Sequence, residues 1–279
     1  MKNIIKSELI LEVAREIRTG RGFSKKVTYL KHGIKKTNIN VSSEQIAKKI
    51  GREAGNYICL DFDDLLFFDA TAKEYLTQKL VCAIKDILKK NNLSPQKIFV
   101  VGLGNESFAC DSLGKKVASQ ILVTKPYLDK SLFDKSKMKQ IYSVSLGVYG
   151  TTGLESSETI KSLCKQIHPD LVVVIDSLIA SDSKTLSKSV QISDTKLLPG
   201  GGVGNCRKEI SEKILGTKVL AIGVPLVLNI SDCYKDANQF VVTPKDIETK
   251  VNTLSKIISK AINLSFTNLS SKDYLDLTT

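Results

Sequence analysis

The strongest apolar runs of the sequence are short. Residues 171–175 are all apolar, and residues 97–103 are nearly so. Runs of this length are too short for helices, and their β-branched residues favour strands that are buried on both faces. The alternating pattern of residues 56–62 and the apolar run of residues 218–224 predict two further strands. The second of these is expected to end at Pro225.

Longer segments carry apolar residues at helical spacing. They predict helices over residues 1–20, 69–90 and 243–265. In the last of these segments, Thr243 is the expected N-cap residue and Pro244 takes the first helical position, where its missing N–H costs nothing.

The order of these elements indicates the fold class. Strands that alternate with helices predict an α/β protein with a mostly parallel sheet that is covered by helices on both faces. Residues 22–47 are polar, rich in lysine and weakly patterned, and we assign no strand there. Because no repeat and no long Pro/Gly/Ser-rich linker divides the chain, we expect a single domain.

Composition narrows the class of protein further. Of the 279 residues, 42% are hydrophobic and 25% are charged, as in soluble globular proteins. No apolar run is long enough to span a membrane, so we expect a cytoplasmic protein without membrane contact. Six widely spaced cysteines form no C-x-x-C pair, which favours free thiols over a zinc ribbon.

The net charge of +12 raises the question of nucleic-acid binding. Only five of the 41 basic residues are arginine, the residue that phosphate and base recognition prefers. We therefore interpret the lysine excess as compositional bias and expect no direct contact with nucleic acid.

Two aspartates form the predicted catalytic pair. Asp176 directly follows the strand of residues 171–175, and Asp111 follows the strand of residues 97–103 after a short loop. Adjacent parallel strands would bring both carboxylates to one sheet edge. Since two close carboxylates do not ionise together easily, one can act as an acid while the other activates water. The alternative is structural: Asp111 would cap a helix and Asp176 would order a loop.

A glycine-rich loop lies between the second aspartate and the next strand. Its backbone N–H groups could point at a developing oxyanion, or the glycines could simply form a tight turn. The loop lacks the ending of a phosphate-binding loop, and residues 102–104 fail the dinucleotide fingerprint, so no nucleotide cofactor is expected. The loop residues concerned are Gly200, Gly201, Gly202, Gly204 and Asn205.

Other hydrolytic chemistries fit less well. His32 and His168 are the only histidines, there is no H-E-x-x-H motif, and His168 precedes its strand, at the opposite edge from Asp176. We therefore expect neither a metal nor another cofactor, although a carboxylate-only metal site with Glu106 or Glu155 remains open. Cys110 and Cys206 flank the predicted site and are interpreted as inert thiols.

Six blocks, in one order and over about half of the chain, resemble the germination (spore) protease family. They are VGLGNESFACDSLGKKV (101–117), GVYGTTGLESSE (147–158), IDSLIAS (175–181), QISDT (191–195), PGGGVGNCRKE (199–209) and AIGVPLV (221–227).

This resemblance implies a fold and a function. It implies a three-layer α/β/α sandwich of the phosphorylase/hydrolase type, shared with hydrogenase-maturation proteases, and an endopeptidase of the spore core that degrades small acid-soluble spore proteins. It also implies a zymogen and a homotetramer. Asp111 and Asp176 match the family's catalytic aspartates, and Asn105, Glu155 and Arg207 of the same blocks are expected to support them.

The N-terminal sequence Ser7–Glu12 resembles the family's propeptide cleavage site. Scission between Glu8 and Leu9 would divide the chain into a propeptide, residues 1–8, and a peptidase domain, residues 9–279. The competing interpretation is a simple N-terminal helix.

The chain also departs from the family pattern. Family members usually carry proline at the positions of Cys110 and Lys115, serine at Gly201 and lysine at Cys206. Longer members have an extra segment where this chain has only residues 228–241. Two alternatives therefore stay open: a non-proteolytic scaffold paralogue, and a maturation-type peptidase that acts on one metalloenzyme precursor.

Overall fold

The computed structural model of the protein describes residues 7–15, 17–129, 138–200, 208–230 and 241–267. Within these ranges the chain forms one sheet of nine strands with helices on both faces. The strands are β1 Phe23–Tyr29, β2 Lys35–Val41, β3 Gly55–Asp61, β4 Lys97–Leu103, β5 Gln140–Leu146, β6 Leu171–Ala180, β7 Ser189–Ser193, β8 Lys218–Asn229 and β9 Val241–Val242. The helices are α1 Ile10–Val13, α2 Glu44–Ile50, α3 Ala70–Lys90, α4 Leu113–Ala118, α5 Lys125–Asp129, α6 Tyr149–Thr152, α7 Ser156–Ile167, α8 Glu212–Leu215 and α9 Ile247–Phe266, with 3₁₀ turns at Asp64–Phe67 and Ala109–Asp111.

The sheet is mixed, and most of its strands run in one direction. Its order is β1-β2-β3-β7-β8-β6-β4-β5, and β9 pairs with β8. Strands β5, β4, β6 and β8 are parallel neighbours, and the strands on the other side of β8 pair antiparallel. The predicted α/β class with a mostly parallel sheet is therefore confirmed, with an antiparallel extension.

Two apolar layers enclose the central strands. On one face, Val100 and Val173 pack in a core cluster with residues of α3, α4 and α9. On the other face, Val101 and Val174 pack with Ile160 of α7 and residues of α8. Alternate side chains of one strand thus enter opposite layers, as the continuous apolar runs predict. Helices on both faces give the three-layer α/β/α sandwich.

The helix predicted over residues 1–20 is wrong. In the described part of that segment only one helical turn, Ile10–Val13, forms. Leu9 and Ile10 are fully buried because the segment packs against the sheet, and their spacing reflects that contact and not a long helix.

The polar stretch after it forms the hairpin β1–β2, which the sequence analysis did not predict. In the edge strand β1 the side chains after Phe23 are exposed or half-buried. Its sequence therefore shows little of the alternation of apolar and polar residues by which a strand is predicted. In β2 only Thr37, Ile39 and Val41 are buried. Helix α2, which follows, begins where Ser43 accepts a hydrogen bond from Ile46 N.

The boundaries of two strands and one helix differ from the predicted ones. Strand β8 continues through Pro225 to Asn229, because the proline lies at a β-bulge where the register with β6 shifts. Strand β6 continues past residue 175 to Ala180. Helix α9 begins later than predicted, with Asp246 and not Thr243 at its N-cap position. In the ranges that the structure describes, no helix is both long and apolar enough to cross a membrane.

Candidate active site

Asp176 lies where strand β6 extends beyond its neighbour β4. The last pair between these strands joins Gly102 to Ile175, whereas β6 goes on beside β8, with Asp176 opposite Gly223. The prediction that the strand ends before Asp176 is thus wrong, because β8 continues to supply hydrogen bonds. The residue is 5% exposed, and its Oδ1 accepts a hydrogen bond from Ser177 N at 2.9 Å.

Asp111 lies on the 3₁₀ turn that follows β4. Asn105 N donates to the carbonyl oxygen of Asp111 at 2.9 Å, and Asp111 N donates to that of Phe108 at 2.9 Å. Gly104 has a φ of +129°, and a Cβ atom there would overlap the carbonyl oxygen of Asp111. Glycine at this position therefore lets the loop fold back tightly on the strand end.

A glycine contact brings helix α4, and with it Asp111, toward β6. A Cβ atom on Gly114 would overlap backbone atoms of Leu103 in β4 and of Ile175 in β6. Because Asp111 lies three residues before Gly114, this close packing carries it to the strand that holds Asp176. The N-cap position of α4 is Ser112, the residue that follows Asp111.

Both aspartates line one cleft of about 380 Å³ at the carboxyl ends of the parallel strands. Of the other predicted site residues, Asn105, Gly200 and Glu8 also line it. Apolar walls come from Phe108, Val148, Leu178 and Val227. The structure therefore brings together the predicted catalytic pair, the start of the glycine loop and the predicted scissile segment.

Cys110 lines the same cleft. Burial, together with the neighbouring Asp111 carboxylate, raises the pKa of its thiol. A raised pKa keeps the thiol protonated at neutral pH, which agrees with the interpretation of Cys110 as inert.

The glycine loop is held at its base. Leu197 and Ile210 form a β-bridge, and Lys196 beside them pairs with Glu209 at 2.8 Å. The hydrogen bond from Lys196 lowers the pKa of Glu209. At the start of the loop, Gly200 has a φ of +61°, which glycine adopts without strain. Gly201, Gly202, Gly204, Asn205, Cys206 and Arg207 lie outside the described residues.

Glu155 lies beside the cleft without lining it. It precedes α7, whose first residue, Ser156, is at the cleft wall. Its Oε1 is buried and has no hydrogen-bond partner among the residues described. Glu106 is an exposed partner of Lys115. In the described ranges no three or more His, Cys, Asp or Glu side chains cluster in a way that could hold a metal ion.

The histidines are placed away from this cleft. His168 ends helix α7 in a left-handed conformation, just before β6 begins, which is the end of the strand opposite to Asp176. His32 lies in the turn between β1 and β2 and faces Asp69 and Tyr75. Neither histidine lines the cleft.

The N-terminal segment pairs with the extension of β6. Glu8 N donates to the carbonyl oxygen of Ile179 at 2.9 Å, and Ile179 N donates to Glu8 Oε2 at 2.8 Å. Leu9 is fully buried among Leu178, Ala180 and Leu228. Glu8 thus lies at the wall of the cleft, paired with a residue of β6 three positions beyond Asp176.

Two charged residues around this segment were missed by the sequence analysis. Glu12 is 3% exposed and accepts hydrogen bonds from Ser181 N at 2.7 Å, from Asp182 N at 3.3 Å and from the Thr185 hydroxyl. Arg52 donates from Nη2 to the carbonyl oxygen of Ser7. Arg52 belongs to no recognisable motif, and Glu12 lies in the segment Ser7–Glu12 without having been given a role there. The partners of both residues are far away in the sequence.

The carboxyl edge of the parallel strands thus carries Asp111, Asp176 and Glu8 in one cleft of an α/β fold. The chain belongs to the germination protease family: the family model described as germination protease matches residues 11–242. It is therefore a peptidase, a hydrolase of peptide bonds, of the family that acts in spore germination.

Individual relatives agree with this assignment. The germination protease of Clostridium tetani is 32% identical over 282 residues, which cover 85% of this chain and 86% of that protein. The germination protease of Caldanaerobacter subterraneus subsp. tengcongensis is 31% identical over 280 residues, covering 84% and 85%. Among solved structures, the [NiFe] hydrogenase maturation protease HycI from Thermococcus kodakarensis is 17% identical with a TM-score of 0.37, covering 64% of this chain and 98% of that one.

Proposed function

We propose that the chain is an endopeptidase that cleaves small acid-soluble spore proteins through the pair Asp111 and Asp176. The observation that carries this proposal is the shared cleft: both aspartates line it together with Glu8 of the N-terminal segment. The family assignment supplies the reaction class, and the cleft supplies the two groups that acid–base hydrolysis requires.

In the proposed mechanism the two carboxyl groups share one proton. The ionised carboxylate takes a proton from water as the water oxygen attacks the scissile carbonyl carbon, and the protonated partner later gives its proton to the leaving amine. Backbone N–H groups of the loop that starts at Gly200 would stabilise the oxyanion of the tetrahedral intermediate. No covalent intermediate with a side chain forms, and no metal or other cofactor takes part.

We also propose that the chain is made as a zymogen. Residues 1–8 are the propeptide and residues 9–279 the single peptidase domain. The support is the position of Glu8, which lines the cleft and is paired through both backbone and side chain with Ile179. A substrate cannot take the same place until this segment moves, so scission after Glu8 is the activating step.

The proposed location, oligomeric state and partners follow from the resemblance to the family. We place the enzyme in the cytoplasm of the spore core as a homotetramer, with small acid-soluble spore proteins as its partners and without direct contact to nucleic acid or membrane. Light scattering on the purified chain tests the tetramer.

The test of the function is direct. Purified chain is incubated with a small acid-soluble spore protein, and the products are mapped by mass spectrometry. We expect a few discrete fragments that end in acidic residues. A parallel incubation with a synthetic peptide of residues 3–15 separates the two parts of the proposal: cutting of the peptide alone contradicts the substrate, and cutting of neither contradicts the endopeptidase activity.

A further inference from the structure

We propose that Arg52 is the specificity-determining residue that recognises an acidic side chain on the amino side of the bond to be cut. This inference rests on the proposed function, because it takes residues 7–9 as the place where a substrate chain binds. The residue lies between α2 and β3, outside the blocks that resemble the family.

The position of Arg52 is fixed by its local structure. Helix α2 ends at Gly51 in a left-handed conformation, and Arg52 N donates back to the carbonyl oxygen of Ala47 at 2.9 Å. Arg52 Nη1 donates to the carbonyl oxygen of Gly51 at 2.8 Å. These bonds do not involve the N-terminal segment, so they hold the guanidinium in place whether or not that segment is bound.

The other end of the guanidinium contacts the segment itself. Arg52 Nη2 donates to the carbonyl oxygen of Ser7, the peptide group just before Glu8. A peptide chain that binds along β6 as residues 7–9 do therefore places a backbone carbonyl against Arg52 and the charge of an acidic side chain one residue further on. The carbonyl is common to every sequence, and only the side chain can discriminate.

Charge makes this discrimination strong. Arg52 Nε is buried without a hydrogen-bond partner among the described residues, and burial lowers the pKa of the guanidinium. Tyr57, Glu8 and Glu12 act in the opposite direction, raise this pKa and favour the cation. A half-buried cation that loses one of its favourable charges is less stable, so we expect a chain with a neutral residue at the position of Glu8 to bind less well.

The carboxylates of Glu8 and Glu12 differ in their hydrogen-bond partners. The Glu12 carboxylate is already satisfied by two backbone N–H groups and a hydroxyl. Glu8 lines the cleft next to the catalytic strand. Arg52 should therefore matter most for the residue at the position of Glu8, since this residue adjoins the scissile bond.

The experiment compares the rate of scission after Glu8 in four full-length chains: wild type, Glu8→Gln, Arg52→Met and the double variant. Mass spectrometry follows the loss of residues 1–8. We expect Glu8→Gln to slow scission roughly 10- to 100-fold in the wild-type background, the size expected for a charged hydrogen bond. In the Arg52→Met background the same substitution should change the rate by less than about threefold.

The ratio of the scission rate with Glu at position 8 to the rate with Gln there separates recognition by Arg52 from a structural role. If Arg52→Met slows both chains equally and the ratio of rates is kept, the proposal is overturned. Arg52→Lys should restore part of the preference for glutamate, because it restores the charge. Arg18→Met, which removes an exposed arginine of the same region, is the matched control and should leave the ratio unchanged.

A second measurement does not depend on activity. Thermal melts of the same four chains, each with Asp176→Asn to keep them uncut, give the coupling between Glu8 and Arg52. We expect the double variant to lose less stability than the two single losses together. Additive losses would overturn the proposed interaction between Arg52 and Glu8. A wild-type chain that is never cut contradicts the proposed zymogen, and the melts then decide on Arg52 separately.

Discussion

Gly102 and Gly114 are in direct backbone contact: a Cβ atom on Gly102 would overlap the carbonyl oxygen of Gly114. One glycine lies in β4 and the other in the first turn of α4. The contact sets how deeply the helix enters the sheet edge, and it therefore sets the distance of Asp111 from the end of β6. The geometry of the site thus depends on two residues without side chains.

The first prediction is that Gly114→Ala destabilises the protein and lowers its activity. The added methyl group would overlap backbone atoms of Leu103 and Ile175, which cannot rotate away as a side chain could. Overpacking of this kind typically costs about 1–3 kcal/mol. Urea unfolding measures the loss of stability, and cleavage of a spore protein measures the loss of activity.

Gly150→Ala is the matched control. Gly150 lies in α6, and a Cβ atom there would have no neighbour within 4 Å. Since alanine is the better helix former, this variant should be as stable as wild type or slightly more stable. If both variants lose the same stability, the close approach of α4 to the sheet is not what the glycine provides.

The sequence predicted elements whose signals are local. Strand β4 has the predicted limits, and α3 begins where Asp69 caps it through Thr71 N and Ala72 N. The β1–β2 hairpin and the extension of β6 were missed because their stability comes from partner strands. Asp176 shows the consequence: its apolar run ends at Ile175, yet β8 keeps the strand going to Ala180.

The same distinction applies to the site. Asp111, Asp176 and Gly200 could be placed from strand ends and glycine spacing, and all line the cleft. Arg52 could not, because its partner Ser7 is 45 positions away and no periodicity links them. Glu12 reads as part of a helix, and its role appears only when its contacts to residues 181–185 are known.

The second prediction concerns processing. Because Glu8 lines the cleft of the aspartate pair, scission of the Glu8–Leu9 bond should remove eight residues. Mass spectrometry of protein kept under conditions where it cuts substrate should show a new N-terminus at Leu9. An intact N-terminus under those conditions contradicts the prediction. The Asp176→Asn chain should stay uncut, and scission at the normal rate in that chain would mean that another protease is responsible.

The third prediction concerns inhibitors. If the aspartates alone supply acid and base, activity should survive chelators and serine-directed reagents, since no step uses a metal or a covalent intermediate. Activity that disappears in chelator and returns with a divalent ion contradicts the metal-free mechanism.

Thiol reagents need a separate control, because Cys110 lines the cleft. Its raised pKa means that it reacts slowly at neutral pH and faster as the pH rises toward that pKa. Any inhibition by a thiol reagent should be steric and should therefore be smaller in Cys110→Ala, which itself should keep activity. Inactive Cys110→Ala that is correctly folded would give the thiol a part in the reaction.

The last prediction tests the catalytic pair itself. Asparagine has nearly the shape of aspartate but cannot exchange the catalytic proton, so Asp111→Asn and Asp176→Asn should each abolish cleavage without unfolding the protein. General acid–base groups contribute about 10²–10⁴-fold each. Because the two act as one unit, the double variant should be scarcely slower than either single variant.

Thermal melts and turnover on the same four proteins decide the outcome. A catalytic pair of like charges is built at the expense of stability, so each single variant should melt at the wild-type temperature or slightly above it. Asp170→Asn is the control: Asp170 accepts hydrogen bonds from Gln96 N and Lys97 N at the opposite end of the strands, and its loss should lower stability while turnover per folded molecule is kept. If Asp111→Asn or Asp176→Asn keeps wild-type turnover, that aspartate has no part in the mechanism. If one of these variants fails to fold, the aspartate it replaces has a structural role.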